Sequence, residues 1–286
     1  MRILLTGRSG QIGSALEHAL APLGEVIAVD RAGLDLRDAD AIKRKIGGLK
    51  PAIIVNAAAY TAVDRAEQEE RLAFEVNSQG AKELARQAKS IDALLIHFST
   101  DYVFDGEKAL PYVEADAPNP LNAYGRSKLE GERAVAASGC RHFIFRASWV
   151  YGPTGRNFLR TILAAARSRP DLRVVDDQRG APTSSQEIAA AVARILAIPD
   201  ILQKPGGVYH LSAAGETSWY GFARAILEDA GLNTPVAPVR SDQYPTAARR
   251  PKNSLLDNTQ LFRAFGVALP DWRQGLREVS SKMEIH

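Results

Sequence analysis

The feature that most constrains the fold is a set of evenly spaced glycines near the start of the chain. Residues 6–13 read TGRSGQIG, so Gly7, Gly10 and Gly13 stand three residues apart, after an apolar run and before an amphipathic stretch. Glycines allow a tight turn and a close backbone approach, and the start of the next helix offers free N–H groups to a diphosphate. Strand, glycine turn and helix in this order predict a dinucleotide-binding βαβ unit, with a turn that binds no ligand as the alternative.

The rest of the first half repeats the alternation of strands and helices. The predicted strands are apolar runs rich in Ile, Leu and Val, as expected for strands covered on both faces. They span residues 2–6, 26–30, 52–56, 93–99 and 142–147. The predicted helices span residues 11–20, 38–46, 67–89 (one long or broken helix) and 122–137. This alternation predicts an α/β fold, a Rossmann-type doubly wound parallel sheet.

The second half is less regular and is punctuated by Pro and Gly. Helices are predicted at residues 157–169, 186–198, 219–230 and 271–283, and strands at residues 172–176 and 207–211. We expect a dinucleotide-binding domain over residues 1–150 and a smaller C-terminal α/β substrate-binding domain over residues 151–286. Helix 185–198 is expected to return to the first domain.

Composition excludes several other classes of protein. The 36 Lys and Arg residues are dispersed among 33 Asp and Glu residues, so no basic patch indicates nucleic acid binding. No run approaches the roughly 18 apolar residues of a transmembrane helix, and the N-terminal apolar run is too short for a signal peptide. Cys140 is the only cysteine, so we expect no internal disulfide and no cysteine metal cluster. We therefore expect a cytoplasmic protein that binds neither nucleic acid nor membranes.

A carboxylate at the end of the second predicted strand points to the adenosine part of a dinucleotide. Asp30 follows Gly13 by 17 residues, where a carboxylate accepts hydrogen bonds from the ribose hydroxyls. A carboxylate also repels the 2′-phosphate of NADPH, and the adjacent Arg31 offsets that repulsion. We therefore expect that either NADH or NADPH is used.

A tyrosine and a lysine share one face of the helix predicted at residues 122–137. Residues 124–128 read YGRSK, and the four-residue spacing brings Tyr124 and Lys128 together. A neighbouring ammonium favours the phenolate, so we expect Lys128 to lower the pKa of Tyr124 from its usual ~10. Lys128 is also placed to hold the nicotinamide ribose. An exposed Tyr and Lys without a catalytic role is the alternative.

The fourth predicted strand ends in hydroxyls and a carboxylate, in the sequence STDYVFDG. Sites in open parallel sheets lie just beyond the carboxyl ends of the strands. With Tyr124, the hydroxyl of Thr100 would hold the oxygen of a carbonyl substrate at two points. Tyr124 would then donate the proton while a nicotinamide delivers hydride.

Longer motifs along the chain resemble a known family. They are VNAAAYTAVDRAE (55–67), STDYVFDG (99–106), YGRSKLEGE (124–132), RASWVYG (146–152), DDQRGAPT (176–183) and ARRPKNS (248–254). Together with the glycine turn they resemble the extended short-chain dehydrogenase/reductases, and among these the dTDP-4-dehydrorhamnose reductases, over nearly the whole chain. The resemblance implies NAD(P)H-dependent reduction of the 4-keto group of dTDP-4-dehydro-L-rhamnose, the last step of dTDP-L-rhamnose synthesis. It implies that Tyr124 is the proton donor, assisted by Lys128 and Thr100.

The resemblance also implies which residues contact the ligands. Besides Gly7, Gly13, Tyr124 and Lys128, the cofactor contacts fall on Gly10, Gln11, Ile12, Asp30, Asp35, Leu36, Ala59, Tyr60, Thr61 and Phe98. Substrate contacts fall on Thr100, Asp101 and Trp149, although ordinary core packing is an alternative for the tryptophan. Arg249 and Arg250 are expected to face the substrate diphosphate, because guanidinium forks suit phosphate; an exposed Arg pair is the alternative.

The chain departs from the family where some members hold Mg²⁺ at a dimer interface through glutamates. Ala15 and Gln186 stand at those positions. Glu17 and Glu187 are near in sequence, but one or two residues turn a helical side chain by ~100–200°. We expect no bound metal, and a monomer or a weak dimer without a Mg²⁺ bridge. Some members also have His where this chain has Tyr60, which is expected to alter nicotinamide packing.

Two other functions remain open from the sequence, a nucleotide-sugar epimerase or reductase and a regulatory subunit, whereas a third, a 4,6-dehydratase, is disfavoured. A nucleotide-sugar epimerase uses the same Thr, Tyr and Lys set but consumes no net reductant. A 4,6-dehydratase would carry a glutamate after Asp101, where this chain has Tyr102. The regulatory subunit of methionine adenosyltransferase resembles this family yet acts as a binding partner. If this protein has such a role, it would bind a partner enzyme and show no reductase turnover.

Overall fold

The structure, a computed structural model, describes residues 1–283. Its first half alternates strands and helices, as the sequence predicts. The elements are β1 (Arg2–Thr6), α1 (Gln11–Leu20), β2 (Glu25–Val29), α2 (Ala39–Leu49), β3 (Ile53–Asn56), α3 (Val63–Ala66), α4 (Glu70–Phe74), α5 (Ala81–Ser90), β4 (Leu94–Thr100), α6 (Ala123–Ala137) and β5 (Arg141–Ala147).

The second half continues with shorter strands and longer connections. Its elements are β6 (Val150–Tyr151), α7 (Phe158–Ser168), β7 (Leu172–Val175), β8 (Arg179–Gly180), β9 (Thr183–Ser184), α8 (Ser185–Leu196), β10 (Gly207–His210), β11 (Thr217–Ser218), α9 (Trp219–Asp229), β12 (Val236–Val239), α10 (Thr259–Phe265) and α11 (Trp272–Lys282). Within residues 1–283, none of the helices combines the length and the apolar character that a membrane crossing requires.

A parallel sheet with the order β10-β5-β4-β3-β1-β2 forms the centre of the molecule. In register, Thr6 of β1 pairs with Val29 of β2 on one side and with Asn56 of β3 on the other. β2 therefore lies on one side of β1, and β3 with the strands that follow it lies on the other. Open α/β sheets bind ligands at such a topological switch point. The predicted doubly wound parallel sheet is confirmed.

Helices cover both faces of this sheet because its strands are apolar on both sides. Ile3 and Leu5 belong to a core shared with α1, α8 and α10, whereas Leu4 between them belongs to a core shared with α2 and α5. This period-two alternation is what a strand buried on both faces requires.

A second hydrophobic core lies in the C-terminal half. It is built around Leu159, Phe222 and Trp272, on α7, α9 and α11. By contrast, α8 packs on α1, and β10 joins the central sheet beside β5. The domain boundary after residue 150 stays a prediction, and the last three residues of the predicted substrate domain, 284–286, lie outside the described residues.

The predicted helix at residues 67–89 is interrupted by a π-helical segment, Glu75–Gly80. Asn77 in this segment accepts a hydrogen bond from the backbone N–H of Tyr60 (2.8 Å) and donates one to the Ser127 hydroxyl (2.9 Å). Such π-helical turns occur frequently at functional sites. Here the segment fixes Tyr60, which follows β3, against α6.

The C-terminal half contains a buried carboxyl group that the sequence did not predict. Glu187 on α8 is 9% exposed, and neither of its side-chain oxygens has a hydrogen-bond partner among the described residues. It faces Gly275 of α11, whose added Cβ would lie 2.7 Å from Glu187 Oε2. Burial raises the pKa of Glu187 to about 7, and the negative charges of Glu278 and Asp271 act in the same direction.

Replacing Glu187 with methionine is expected to change how stability depends on pH. A carboxyl whose pKa is raised on folding contributes stability that is fully present below its ordinary value of 4.5 and is lost as the pH rises through about 7. The unfolding free energy of Glu187→Met relative to wild type should therefore increase by ~1–2 kcal/mol between pH 5 and pH 8. Urea denaturation at both pH values measures this difference. Glu228→Met, on the exposed side of α9, is the control; equal pH dependence in both variants would contradict the prediction.

Candidate active site

A cavity of about 810 Å³ opens at the carboxyl ends of the central strands. Most of the residues predicted from the sequence as site residues line it. They are Gly7, Gly10, Gln11, Ile12, Asp30, Asp35, Leu36, Ala59, Tyr60, Thr61, Phe98, Thr100, Asp101, Tyr124, Lys128 and Trp149. Gly13, Arg249 and Arg250 do not line it.

In the glycine turn between β1 and α1, the backbone leaves no room for a side chain at Gly7 or at Gly13. Gly7 has a φ of +78°, and an added Cβ would lie 2.6 Å from the backbone N of Ala58. An added Cβ on Gly13 would lie 2.0 Å from the carbonyl oxygen of Gly7. Gly10 is the N-cap of α1 and provides no side-chain cap, so the first N–H groups of the helix stay free for an anion. This cradle fits the diphosphate of a dinucleotide.

The end of the cavity beyond β2 is lined by Asp30, Arg31 and Asp35, and Arg37 pairs with Asp35 there. Asp30 Oδ1 accepts a hydrogen bond from the backbone N–H of Gly33 (3.0 Å). Asp35 is bound by Arg37 (2.6 Å) and by Arg31 (3.5 Å). The hydrogen bond from Arg37 holds the pKa of Asp35 well below its usual range. Arg31, expected from the sequence to offset Asp30, is paired with Asp35.

Tyr124 and Lys128 lie on the first two turns of α6, which begins at a side-chain cap. Asn122 Oδ1 accepts a hydrogen bond from the Gly125 N–H (2.8 Å), so the helix begins just before Tyr124. Lys128 is 2% exposed and donates from Nζ to the Phe98 carbonyl oxygen (2.5 Å). Burial lowers the pKa of Lys128 to about 8.

The environment of Tyr124 corrects one expectation from the sequence. Burial raises the pKa of Tyr124 above its ordinary value, and the hydrogen-bonding Thr100 side chain only partly opposes this. The lowered pKa expected from the sequence is therefore wrong in its net direction, because burial dominates. A neutral phenol is the protonation state that a proton donor needs.

The hydroxyl and carboxylate that end β4 form a connected group. Thr100 is the last residue of the strand, and its Oγ1 donates to Asp101 Oδ1 (3.1 Å) and accepts from the Tyr102 N–H (3.2 Å). Asp101 is buried, and its Oδ2 has no hydrogen-bond partner among residues 1–283. Burial raises the pKa of Asp101 to about 6. Thr100 thus interacts with both Asp101 and Tyr124.

The opposite wall of the cavity carries two stacked indoles. Trp149 is 8% exposed and stacks on Trp219, with ring centroids 3.6 Å apart and an interplanar angle of 9°. Its φ of +47° is unusual for a bulky residue. Gly180 lies under the ring, where an added Cβ would be 2.4 Å from it.

Several residues that line the cavity were not predicted from the sequence. Trp219 is one; it begins α9, 70 residues after Trp149, and no local spacing links the two. Glu69 is another, and it accepts hydrogen bonds from the Tyr60 hydroxyl (2.6 Å) and from Arg65 (2.5 Å). Arg156 also lines the cavity, from the loop before α7.

The two arginines expected to face the substrate diphosphate lie outside the cavity lining. Arg250 binds Asp64 (2.7 Å) and the Ala248 carbonyl oxygen (3.0 Å). The Arg249 side chain is exposed, and its carbonyl oxygen accepts a hydrogen bond from Asn122 (2.8 Å). Arg250 therefore joins the loop after β12 to the start of α3, and its contact with the substrate diphosphate stays a prediction.

The positions at which some family members carry metal-binding glutamates are occupied by Ala15 and Gln186. Gln186 accepts a hydrogen bond from Lys282 (3.2 Å), and Glu17 is paired with Arg8 (3.0 Å). Within the described part of the chain, no group of three or more His, Cys, Asp or Glu residues is arranged to hold a metal ion.

The parallel sheet, the glycine turn and the Tyr124–Lys128 pair beside one cavity define a class of protein. This class is the nicotinamide-dependent oxidoreductases of the extended short-chain dehydrogenase/reductase type. The family model described as the RmlD substrate binding domain matches residues 1–285. The chain belongs to this family.

Named relatives and solved structures agree with this assignment. A dTDP-4-dehydrorhamnose reductase from Burkholderia thailandensis is 45% identical over 285 residues, which cover 96% of each chain. The enzyme of the same name from Escherichia coli K12 is 41% identical and covers 99% of this chain and 98% of its own. The crystal structure of a dTDP-4-dehydrorhamnose reductase from Clostridium acetobutylicum has a TM-score of 0.95 at 37% identity, covering 99% of this chain and 100% of its own. The enzyme from Bacillus anthracis in complex with NADP has a TM-score of 0.93 at 34% identity, covering 98% and 99%. The fold class and the family predicted from the sequence are confirmed.

Proposed function

We propose that this protein reduces the 4-keto group of dTDP-4-dehydro-L-rhamnose to the alcohol of dTDP-L-rhamnose, with NADH or NADPH as the reductant. The observation that carries the proposal is the meeting of Thr100, Tyr124 and Lys128 in the cavity that the glycine turn also lines. Relatives that match nearly the whole chain are reductases of this substrate by name. The reaction would complete dTDP-L-rhamnose synthesis in the cytoplasm, for use in cell-surface polysaccharide.

The mechanism assigns one task to each polar group. A bound NAD(P)H supplies hydride to the carbonyl carbon of the substrate. Tyr124 donates its proton to the carbonyl oxygen, which completes the alcohol. The Thr100 hydroxyl, already within reach of Tyr124, donates a hydrogen bond to the same oxygen and stabilises the charge that develops there.

The buried cation and carboxyl group support this arrangement. With its pKa at about 8, Lys128 is an ammonium at neutral pH, and its charge stabilises the Tyr124 phenolate left after proton transfer. In the structure the Thr100 hydroxyl proton is donated to Asp101 Oδ1, and this hydrogen bond is given up when the hydroxyl donates to the substrate oxygen. Trp149 is packed against Trp219 and Gly180, so it contributes apolar wall to the sugar end of the cavity with only a small exposed part of its ring.

A stoichiometric assay tests the proposed reaction. The protein is mixed with dTDP-4-dehydro-L-rhamnose and NADPH, and NADPH oxidation is followed together with the sugar product. One NADPH consumed for each dTDP-L-rhamnose formed is the expected result. Isomerisation without net oxidation would instead indicate an epimerase, and binding to a partner enzyme without turnover would indicate a regulatory subunit.

Both cofactors are expected to support turnover. Asp30 and Asp35 oppose a 2′-phosphate, whereas Arg31 and Arg37 attract it, so the kcat/KM values for NADH and NADPH should differ by less than about tenfold. Asp30→Ala should shift the ratio toward NADPH, because it removes one negative charge and leaves the arginines. Steady-state kinetics with both cofactors measure the ratio. Complete exclusion of either cofactor by the wild-type protein would contradict the prediction.

A further inference from the structure

The loop at residues 152–157, between β6 and α7, is attached to the glycine turn. Asn157 Nδ2 donates to Gln11 Oε1 (3.0 Å) and to the Gly152 carbonyl oxygen (2.8 Å). Gly155, with a φ of +73°, lies beside the same glutamine, since an added Cβ would be 3.5 Å from Gln11 Cγ. The loop is therefore fixed against the first residue of α1 although it is 146 residues away in sequence.

Arg156 is the charged residue of this loop, and it lines the cavity. The other arginines that line the cavity are already paired, Arg31 with Asp35 and Arg65 with Glu69. Arg156 has no ion-pair partner among residues 1–283, and its side chain is exposed. An unpaired guanidinium beside free helix N–H groups makes this end of the cavity attractive to an anion.

We propose that Arg156 binds a diphosphate group held at the glycine turn, and that this diphosphate belongs to the dinucleotide cofactor. The inference rests on the proposed function, in which the cavity also receives the diphosphate of the nucleotide sugar. The attachment of the loop to Gln11 favours the cofactor, because Gln11 begins the helix whose N–H groups face the cofactor diphosphate.

A binding experiment that needs no turnover tests this assignment. The ligands are ADP-ribose, which carries the cofactor diphosphate, and dTDP, which carries the substrate diphosphate. Their dissociation constants are measured by calorimetry for the wild type, Arg156→Gln and Arg156→Lys. Arg167→Gln, which removes an exposed arginine near the far end of α7, is the matched control.

Arg156→Gln should weaken ADP-ribose binding about tenfold at low salt, and by less at high salt, because the charge on Arg156 is exposed. Arg156→Lys should keep part of the affinity, and Arg167→Gln should keep all of it. The affinity for dTDP should stay unchanged in every variant. Unchanged ADP-ribose binding, or an equal or larger loss for dTDP, would overturn the assignment. These measurements involve no reduction. They therefore test the role of Arg156 even if the protein does not catalyse the proposed reaction.

Discussion

Replacing Tyr124 with phenylalanine is expected to lower kcat for ketone reduction by about 10²–10⁴-fold, the usual contribution of a positioned proton donor. The phenol is partly buried, and its raised pKa keeps it protonated through the neutral pH range. Phenylalanine preserves the ring and its edge-to-face packing on Tyr102, with centroids 5.7 Å apart, and removes only the hydroxyl group that carries the proton. The Kd for NADH should therefore change little.

Three measurements separate this role from a structural one. Stopped-flow hydride transfer gives the chemical step, fluorescence quenching gives the Kd for NADH, and thermal unfolding shows whether the variant is folded. Tyr102→Phe, which removes the hydroxyl of a neighbouring, partly buried tyrosine, is the matched control and should keep kcat within the same order of magnitude. A Tyr124→Phe enzyme with nearly normal kcat would contradict the assignment of the proton donor.

The elements of the first half were predictable because their signals are local. The apolar runs, the glycine turn and the acidic start of α2 each lie within one short segment, and the structure reproduces these elements with small shifts at their ends. Several later elements were missed, among them β12 and α10. β12 contains Pro238, which argues against a strand, and it pairs only at an edge, with β7. α10 has seven residues, too few for a clear helical period.

The candidate site shows the same limit. Tyr124 and Lys128 were found because their spacing lies within one helix. Trp219 and Arg156 reach the cavity from distant segments, so no local pattern could reveal them. The role of Arg250 toward the substrate diphosphate stays a prediction, and its ion pair with Asp64, 186 residues earlier in the chain, could not be read from a local pattern. The direction of the Tyr124 pKa shift depends on burial, and a four-residue spacing in the sequence gives no information about burial.

Replacing Gly13 with alanine is expected to damage both stability and cofactor binding, although alanine is the better helix former. The new Cβ would lie 2.0 Å from the Gly7 carbonyl oxygen and 2.6 Å from its carbonyl carbon, so the turn has to move away from α1. Such overpacking costs ~1–3 kcal/mol, which urea denaturation measures. The displaced turn also misaligns the N–H groups offered to a diphosphate, so the Kd for ADP-ribose should rise at least about tenfold.

The same substitution at Gly47 is a matched control with the opposite expected sign. Gly47 lies inside α2, and an added Cβ there meets nothing within 4 Å. Gly47→Ala should therefore raise the unfolding free energy by ~0.5–1 kcal/mol, since only helix propensity changes, and it should leave the Kd for ADP-ribose unchanged. Whether a Gly→Ala substitution raises or lowers the unfolding free energy of this protein thus depends on which atoms lie next to the new Cβ. A Gly13→Ala protein that matched wild type in both measurements would show that the turn relaxes freely, and that its tight contact with α1 is unnecessary for binding the diphosphate.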